Sequence, residues 1–71
     1  MPKAAIRNEL RRLRFEHDEM TQQALADAVG CTRQTIVLLE QGRYVPSLAL
    51  ALRIARRFNR SVEEVFQLDD V

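Results

Sequence analysis

Glycine and proline are scarce in this sequence: each occurs twice among 71 residues. Because these two residues dominate turns and loops, little of the chain is left for irregular structure. No segment alternates polar and apolar residues over the length of a strand. We therefore predict an all-α fold, and a chain of this length is enough for one domain with a modest core.

Cysteine occurs once, as Cys31, and no apolar run approaches the roughly 18 residues that span a bilayer. A single thiol cannot form an internal disulfide, so nothing points to an oxidising compartment. The first residues, MPKAAIRNELRR, carry charge at once and lack the apolar stretch of a signal peptide. The expected location is the cytoplasm.

Reactive side chains are too few to suggest catalysis or metal binding. Cys31 and His17 are the only soft metal ligands in the sequence, whereas a structural zinc site needs about four ligands. A catalytic Cys–His pair would also need a third group that orients the base, and the sequence offers none. Ser47 and Ser61 are explained by helix capping. We expect no enzyme activity, no metal and no cofactor.

The net charge of +1 hides an uneven distribution of charge along the chain. Residues 1–60 contain all 11 Lys and Arg and carry +5, whereas residues 61–71 contain four acids and no base and carry −4. A basic body suits an anionic partner, but an ordinary solvated surface explains it equally well. Charge alone therefore leaves the partner open.

Apolar residues recur at the spacing of one helix face in five short stretches, which predicts five short helices around one core. The inward positions of the first three helices, the first of which spans about residues 4–16, are Ile6, Leu10, Leu13, Leu25, Ala26, Val29, Ile36 and Leu39. Those of the fourth are Leu48, Ala51, Leu52, Ala55 and Phe58, widened by Leu50 and Ile54. The last helix follows a capping box at Ser61-Val62-Glu63-Glu64, and its apolar residues are Val62, Val65 and Phe66.

Local residues also mark where the second and third helices begin and end. Thr21 and Thr32 are capping residues, whose hydroxyls accept bonds from unpaired amides of the first turn. Gly30 follows the second helix, where glycine closes a helix in the left-handed conformation. Two helices joined by about four residues, with a glycine in the turn, form a helix-turn-helix. We predict one over about residues 22–41.

The third helix presents polar side chains in its first turn. With Ile36 and Leu39 inward, Arg33 and Gln34 face outward. Arginine can bond twice to guanine and glutamine twice to adenine in the major groove. Helix-turn-helix proteins insert this end of their second helix into the groove. Arg33 and Gln34 are therefore candidates for contact with DNA bases.

The combined spacing of these motifs resembles the XRE-type, lambda-repressor-like (Cro-like) helix-turn-helix transcriptional regulators. The matching segments are Thr21-Gln22, Leu25-Ala26, Val29-Gly30, Thr32-Arg33-Gln34-Thr35-Ile36, Leu39-Glu40, Gly42, Pro46-Ser47, Leu50-Ala51-Leu52, Ile54-Ala55 and Val62-Glu63-Glu64-Val65-Phe66. With the first helix, the resemblance covers nearly the whole chain. It implies a single DNA-binding domain over residues 1–71, with a short tail at 67–71.

The resemblance also implies two sets of DNA contacts. The positions that approach bases are Thr32, Arg33, Gln34 and Leu38. The positions that contact phosphate are Gln22, Thr35, Arg43, Tyr44 and Ser47. Val37 and Leu38 depart from the polar residues that many relatives carry there. Such apolar side chains suit a thymine methyl group or cover the edge of the core, and for Val37 we favour the core.

For two further side chains, Glu40 and Phe15, the sequence predicts a structural position. Glu40, at the end of the third helix, is expected to pair with an arginine such as Arg14 and thereby fix the recognition helix. Phe15 does not fit the inward spacing of the first helix, so we expect it at the surface.

If base recognition depends mainly on Arg33 and Gln34, a monomer would recognise too few base pairs to select one site. We therefore expect a homodimer on a palindromic operator in double-stranded DNA, and repression by occupancy is the simplest mode of action. The candidates for dimerisation are Phe66, Leu68 and Val71. The same hydrophobic end also suits another protein, so the alternative is an antitoxin that binds a toxin-like partner and regulates its own gene.

Overall fold

The computed structural model describes residues 5–69, which form five helices and two short strands. In chain order these are β1 (Ala5–Asn8), α1 (Leu10–Glu16), α2 (Gln22–Val29), α3 (Arg33–Glu40), α4 (Leu48–Arg57), α5 (Val62–Val65) and β2 (Phe66–Asp69). The two strands pair antiparallel, with Ile6 opposite Leu68 and Arg7 opposite Gln67. No helix in this part of the chain has the length and apolar character needed to cross a membrane.

The five predicted helices are confirmed, but the prediction of an all-α fold is wrong at both ends of the described chain. Residues 5–8, predicted as the start of the first helix, form β1, so α1 begins only at Leu10. Phe66, predicted at the end of the last helix, begins β2. Each strand has four residues, too few to show alternation, and each pairs with residues at the other end of the chain.

The core lies between the helices and contains most of the predicted inward residues. Its buried members are Leu10, Leu13, Leu25, Ala26, Val29, Ile36, Leu39, Leu50, Ile54, Ala55, Phe58 and Val65. Met20, Cys31, Val62 and Phe66 are partly buried and pack against it. Phe15 is 56% exposed, as expected.

Two predicted core positions in α4 are wrong: Leu48 is 71% exposed and Leu52 is 50% exposed. A helix turns by about 100° per residue, so these two leucines lie one above the other at the edge of the helix. Leu50, Ile54 and Phe58 follow the same four-residue spacing and take the core. Apolar spacing alone does not distinguish the exposed row (Leu48 and Leu52) from the buried row, because α4 carries more apolar residues than its core face can hold.

The predicted helix caps are confirmed by their hydrogen bonds. The hydroxyl groups of Thr21, Thr32 and Ser47 each accept the amide N–H of the residue three positions later, at 3.0–3.2 Å. Ser61 does the same for Glu64, whose carboxylate accepts the Ser61 amide in return. This reciprocal pair is a capping box. The backbone N–H of Ser61, by donating to the carboxylate, lowers the pKa of Glu64.

An ion pair between Arg14 and Glu40 connects α1 to the end of α3, as expected. The Arg14 guanidinium donates to both carboxylate oxygens of Glu40, at 2.6 and 2.9 Å. It also donates to the carbonyl oxygen of Met20 at 2.8 Å, and the side-chain amide nitrogen of Gln22 donates to a carboxylate oxygen of Glu40 at 3.1 Å. Both charged side chains are only about one-tenth exposed, at 12% and 11%. This network therefore links α1, the start of α2 and α3.

Replacing Arg14 by alanine should lower the free energy of unfolding by about 2–4 kcal/mol, because Glu40 would keep a nearly buried charge without its main partner. Urea unfolding followed by circular dichroism measures the change. The control is Arg12→Ala: its pair with Glu9 is 3.9 Å long and Arg12 is 61% exposed. Exposed pairs contribute about 0–1 kcal/mol. Equal losses in the two variants would show that the Arg14 pair is no stronger than a surface pair.

Replacing Gly30 by alanine should destabilise the protein by about 1–2 kcal/mol through backbone strain alone. Gly30 has a φ of +77° and its added Cβ would meet no atom within 4 Å, so steric contact plays no part. Gly30→Asn is the matched variant, because asparagine tolerates this conformation better than alanine. Thermal unfolding should rank glycine above asparagine and asparagine above alanine. Alanine as stable as glycine would show that the turn relaxes to another conformation.

Candidate nucleic-acid interface

Helices α2 and α3 are joined by Gly30, Cys31 and Thr32, which form the predicted tight turn. The amides of Gly30 and Cys31 both donate to the carbonyl oxygen of Ala26, at 2.9 and 3.0 Å, and so close α2. Thr32 then caps α3. This compact turn places the first residues of α3 at the surface of the molecule.

The first turn of α3 exposes the two side chains that were predicted to face outward. Arg33 and Gln34 are exposed, whereas Ile36 and Leu39 on the opposite face are fully buried. Within residues 5–69, neither Arg33 nor Gln34 forms a side-chain hydrogen bond or an ion pair. Their donors and acceptors are therefore available to an external partner.

The other side chains on or next to α3 that were considered for DNA contact are less available to an external partner, because they are hydrogen-bonded or partly buried. The hydroxyl groups of Thr32 and Thr35 lie 3.0 Å apart, and the Thr32 hydroxyl also accepts the Thr35 amide at 3.2 Å. Thr32 is exposed and Thr35 is half-buried. Val37 and Leu38 are also half-buried, so each presents part of an apolar side chain beside the outward face.

Apart from Thr35 in α3, the candidates for phosphate contact lie where helices begin or where the chain leaves α3. Gln22 opens α2 and is half-buried, and Ser47 caps α4 through a 3.1 Å bond to the amide of Leu50. Helix starts favour anions because their first amides are unpaired. Arg43 and Tyr44 are exposed in the loop between α3 and α4.

The C-terminal end of α3 is closed by a Schellman motif. The amide of Arg43 donates to the carbonyl oxygen of Leu38 at 2.9 Å, and the amide of Gly42 donates to that of Leu39 at 3.0 Å. This is the bond pattern of the motif, and Gly42 takes the left-handed φ of +72° that it needs. The motif sets the direction in which Arg43 and Tyr44 leave the helix.

Asn8, a half-buried residue at the end of β1, supports α3 although it was not among the predicted functional residues. Its amide nitrogen donates to the carbonyl oxygen of Leu39 at 2.7 Å, and its amide oxygen accepts the Leu10 amide at 3.2 Å. Asn8 thereby joins the strand, α1 and the end of the recognition helix. A lone asparagine between two charged residues carries no sequence pattern that could have revealed this role.

Cys31 and His17 serve packing in this structure. Cys31 is half-buried against the core, and its burial raises the pKa of the thiol, with the charge of Arg53 opposing the shift. The Nδ1 atom of His17 lies 2.9 Å from the carbonyl oxygen of Leu13, and its ring packs edge-on against Phe58 with centroids 5.0 Å apart. Between residues 5 and 69, no three His, Cys, Asp or Glu side chains lie together as a metal site would require.

The three dimerisation candidates have different surroundings. Phe66 is half-buried, packs against the core of its own chain and pairs with Asn8 in the sheet. Leu68 is 61% exposed. Val71 lies outside the described residues. Of the two that the structure describes, Leu68 is the one that offers a largely open side chain.

Comparison with known proteins places this arrangement in a family. A family model described as Helix-turn-helix matches residues 10–65. An uncharacterized HTH-type transcriptional regulator from Archaeoglobus fulgidus is 49% identical over 65 residues, covering 92% of this chain and 91% of that protein. One from Methanothermobacter thermautotrophicus is 58% identical over 52 residues, covering 72% of this chain and 75% of that protein.

Two further comparisons match another regulator and a solved structure. The uncharacterized HTH-type transcriptional regulator YgzD from Bacillus subtilis is 42% identical over 65 residues, covering 92% of this chain and 97% of that protein. A crystal structure of a candidate DNA-binding protein from Bacteroides fragilis matches with a TM-score of 0.74 at 21% identity, covering 87% of this chain and 98% of that one. At that identity the structural match supports the fold. The chain belongs to the XRE-type helix-turn-helix family of DNA-binding transcriptional regulators.

Proposed function

We propose that this regulator binds a palindromic operator in double-stranded DNA as a homodimer and represses transcription by occupying it. One observation carries the proposal: Arg33 and Gln34 are exposed in the first turn of α3, while Ile36 and Leu39 anchor the opposite face in the core. Helix-turn-helix proteins present this turn to the major groove. The cytoplasm, where such operators are accessible, is the proposed location.

Binding begins with the phosphates, because neutralising them releases counterions and is independent of sequence. Arg43 and Tyr44 in the loop, Gln22 at the start of α2 and Ser47 at the start of α4 are the proposed contacts. Thr35, whose hydroxyl meets that of Thr32, adds a contact near the start of α3. These contacts set the position and angle of α3 but do not identify the sequence.

Base recognition then comes from α3. Arg33 has the geometry for two bonds to guanine and Gln34 for two bonds to adenine. Thr32 and the open part of Leu38 add a hydroxyl and an apolar surface beside them. Because four neighbouring side chains read only a few base pairs, a second copy on an adjacent half-site supplies the remaining specificity.

A second candidate function is that of an antitoxin that also binds its own operator. The observation that favours it is Leu68, an exposed leucine on β2 near the acidic end of the chain. A basic toxin-like protein would complement that end. Co-purification of one defined partner at a fixed ratio would support this function, whereas a purified chain that binds DNA fully without a partner would favour the regulator alone.

Replacing Arg33 by alanine should weaken binding to the preferred site by about 1–3 kcal/mol and relax the choice of base at one position in each half-site. Selection of bound sequences from a random DNA pool identifies the site, and fluorescence anisotropy gives the affinity. Gln34→Ala should relax a neighbouring position. The matched control is Arg57→Ala, which removes an exposed arginine of α4 and should leave the selected sequence unchanged.

A selected sequence that is the same for wild type and Arg33→Ala would contradict base recognition by this residue. If the wild type selects no sequence and shows no salt-dependent binding, the proposed function itself is wrong. A non-palindromic consensus would contradict the homodimer and leave DNA binding intact.

Replacing Arg43 by alanine should weaken binding to all sequences alike, because a phosphate contact carries no base information. The slope of log affinity against log salt concentration should fall by about one for each chain bound. Titrations of the preferred site and an unrelated duplex at several salt concentrations measure both effects. A loss confined to the preferred site would instead assign Arg43 to base recognition.

A further inference from the structure

The exposed surface of α4 is divided into a basic side and an apolar side. Arg53 and Arg57 occupy one side, and the guanidinium of Arg53 donates to the carbonyl oxygen of Val29 at 2.9 Å. That bond places the basic side against the end of α2. At about 100° per residue, Leu48 and Leu52 lie on the opposite side of the helix, away from α2.

The apolar side continues into the loop before the helix. Val45, Leu48 and Leu52 are 65%, 71% and 50% exposed, and we call them the α4 apolar edge. Of the large hydrophobic side chains that are exposed in the described residues, most lie in residues 44–52. These nine residues are also the longest stretch of the sequence without a charged side chain. In a chain with 30% charged residues, an exposed apolar surface of this kind indicates a contact with another molecule.

We propose that the α4 apolar edge is the surface through which two copies of this chain associate. The proposal rests on the homodimer of the proposed function and names its contact surface. A twofold axis brings each residue near it into contact with its own copy, so a charged side chain at the centre would meet a like charge. The α4 apolar edge has none: the charge of Arg43 precedes it in the loop, and that of Arg56, one turn beyond Leu52 on the same row of the helix, follows it.

The C-terminal end is less suited to the centre of the dimer, because it carries charge of one sign. Leu68 is exposed, but residues 61–71 carry −4 and contain no base. Arg7 on the neighbouring strand and Arg60, which pairs with Glu64, offset only half of that charge, so a twofold axis through Leu68 would still bring two ends of net negative charge together. Phe66, which packs on its own core, adds little surface to such a contact.

The size and shape of the molecule agree with association through α4. Three aliphatic side chains exposed to this degree form a patch of roughly 300 Å², a size that is often functional on a small monomer. A stable interface buries about 800 Å² per partner, so the patch supplies its apolar centre and neighbouring polar residues supply the rim. The body measures 38 × 22 × 20 Å. Equivalent points on two copies side by side are therefore separated by distances of the same order as the roughly 34 Å between adjacent half-sites.

The test is the molar mass of the full chain across a range of concentrations, measured by sedimentation equilibrium. The wild type should have twice the monomer mass of 8.2 kDa. Leu48→Glu with Leu52→Glu should raise the dimer dissociation constant roughly 100-fold or more, because like charges would then face each other. Both positions are exposed, and glutamate suits a helix and its first turn, so the double variant should fold. Circular dichroism checks this, and Val45→Glu outside the helix is a second variant with the same expected direction.

The matched controls are Leu68→Glu and Phe15→Glu, which place the same charge on other exposed hydrophobic residues and should leave the dimer intact. Dissociation by Leu68→Glu but not by the α4 variants would overturn the proposal in favour of the C-terminal end. A wild type that is monomeric at every concentration, alone or in complex with a different protein, would also overturn it.

DNA binding separates this proposal from the proposed function. Leu52→Glu alone, which lies more than one turn beyond the proposed phosphate contact at Ser47, should keep salt-dependent binding to a half-site and lose its preference for the full palindrome. A wild-type dimer that separates in the α4 variants but binds no DNA would support the α4 surface and refute the proposed function. A double variant that remains dimeric while the wild type binds a palindrome would do the reverse.

Discussion

The orientation of the recognition helix depends on the ion pair between Arg14 and Glu40. Helix α3 has eight residues, and only its inner face is buried. Ile36 and Leu39 hold that inner face in the core. Hydrophobic contact is not directional, so two residues leave the helix free to rotate and tilt. A guanidinium that bonds both oxygens of one carboxylate fixes an angle as well as a distance.

The value of this pair is therefore geometric more than energetic. Removing two charges from water costs about as much as their attraction returns, so a well-packed apolar pair would stabilise the fold equally well. It would not hold Glu40 at a set angle to α1. Asn8 adds a second directional contact through the carbonyl oxygen of Leu39, and Thr32 caps the other end of α3. Both ends of the helix are thus held, while Arg33 and Gln34 remain open.

The features that the sequence predicts well are those set by neighbours along the chain. Caps and left-handed glycines depend on residues three or four positions apart, so the helix starts at Thr21 and Thr32 and the turn at Gly30 follow from local chemistry. The exposure of Arg33 and Gln34 follows from the spacing of buried residues on the same helix. The pairing of β1 with β2 and the bond from Asn8 to α3 join distant parts of the chain, and no local pattern encodes them. DNA contact depends on a molecule outside the chain and stays a prediction.

The wrong prediction that Leu48 and Leu52 lie in the core has a different cause. Their exposure bears on how two copies of the regulator are arranged. Apolar spacing assumes that each hydrophobic residue serves its own core, whereas α4 has more of them than the core accepts. The additional apolar residues, Leu48 and Leu52, lie on the side of α4 away from α2. The short loop that connects α3 to α4 starts from the Schellman motif, whose bonds to Leu38 and Leu39 fix the direction in which the loop leaves α3. The path from the α4 apolar edge to Arg33 therefore crosses only one loop, which is anchored where it leaves α3. If two copies meet at that edge, the distance between their recognition helices is set by this anchored path, and the spacing of half-sites in the operator becomes a property of residues 33–52.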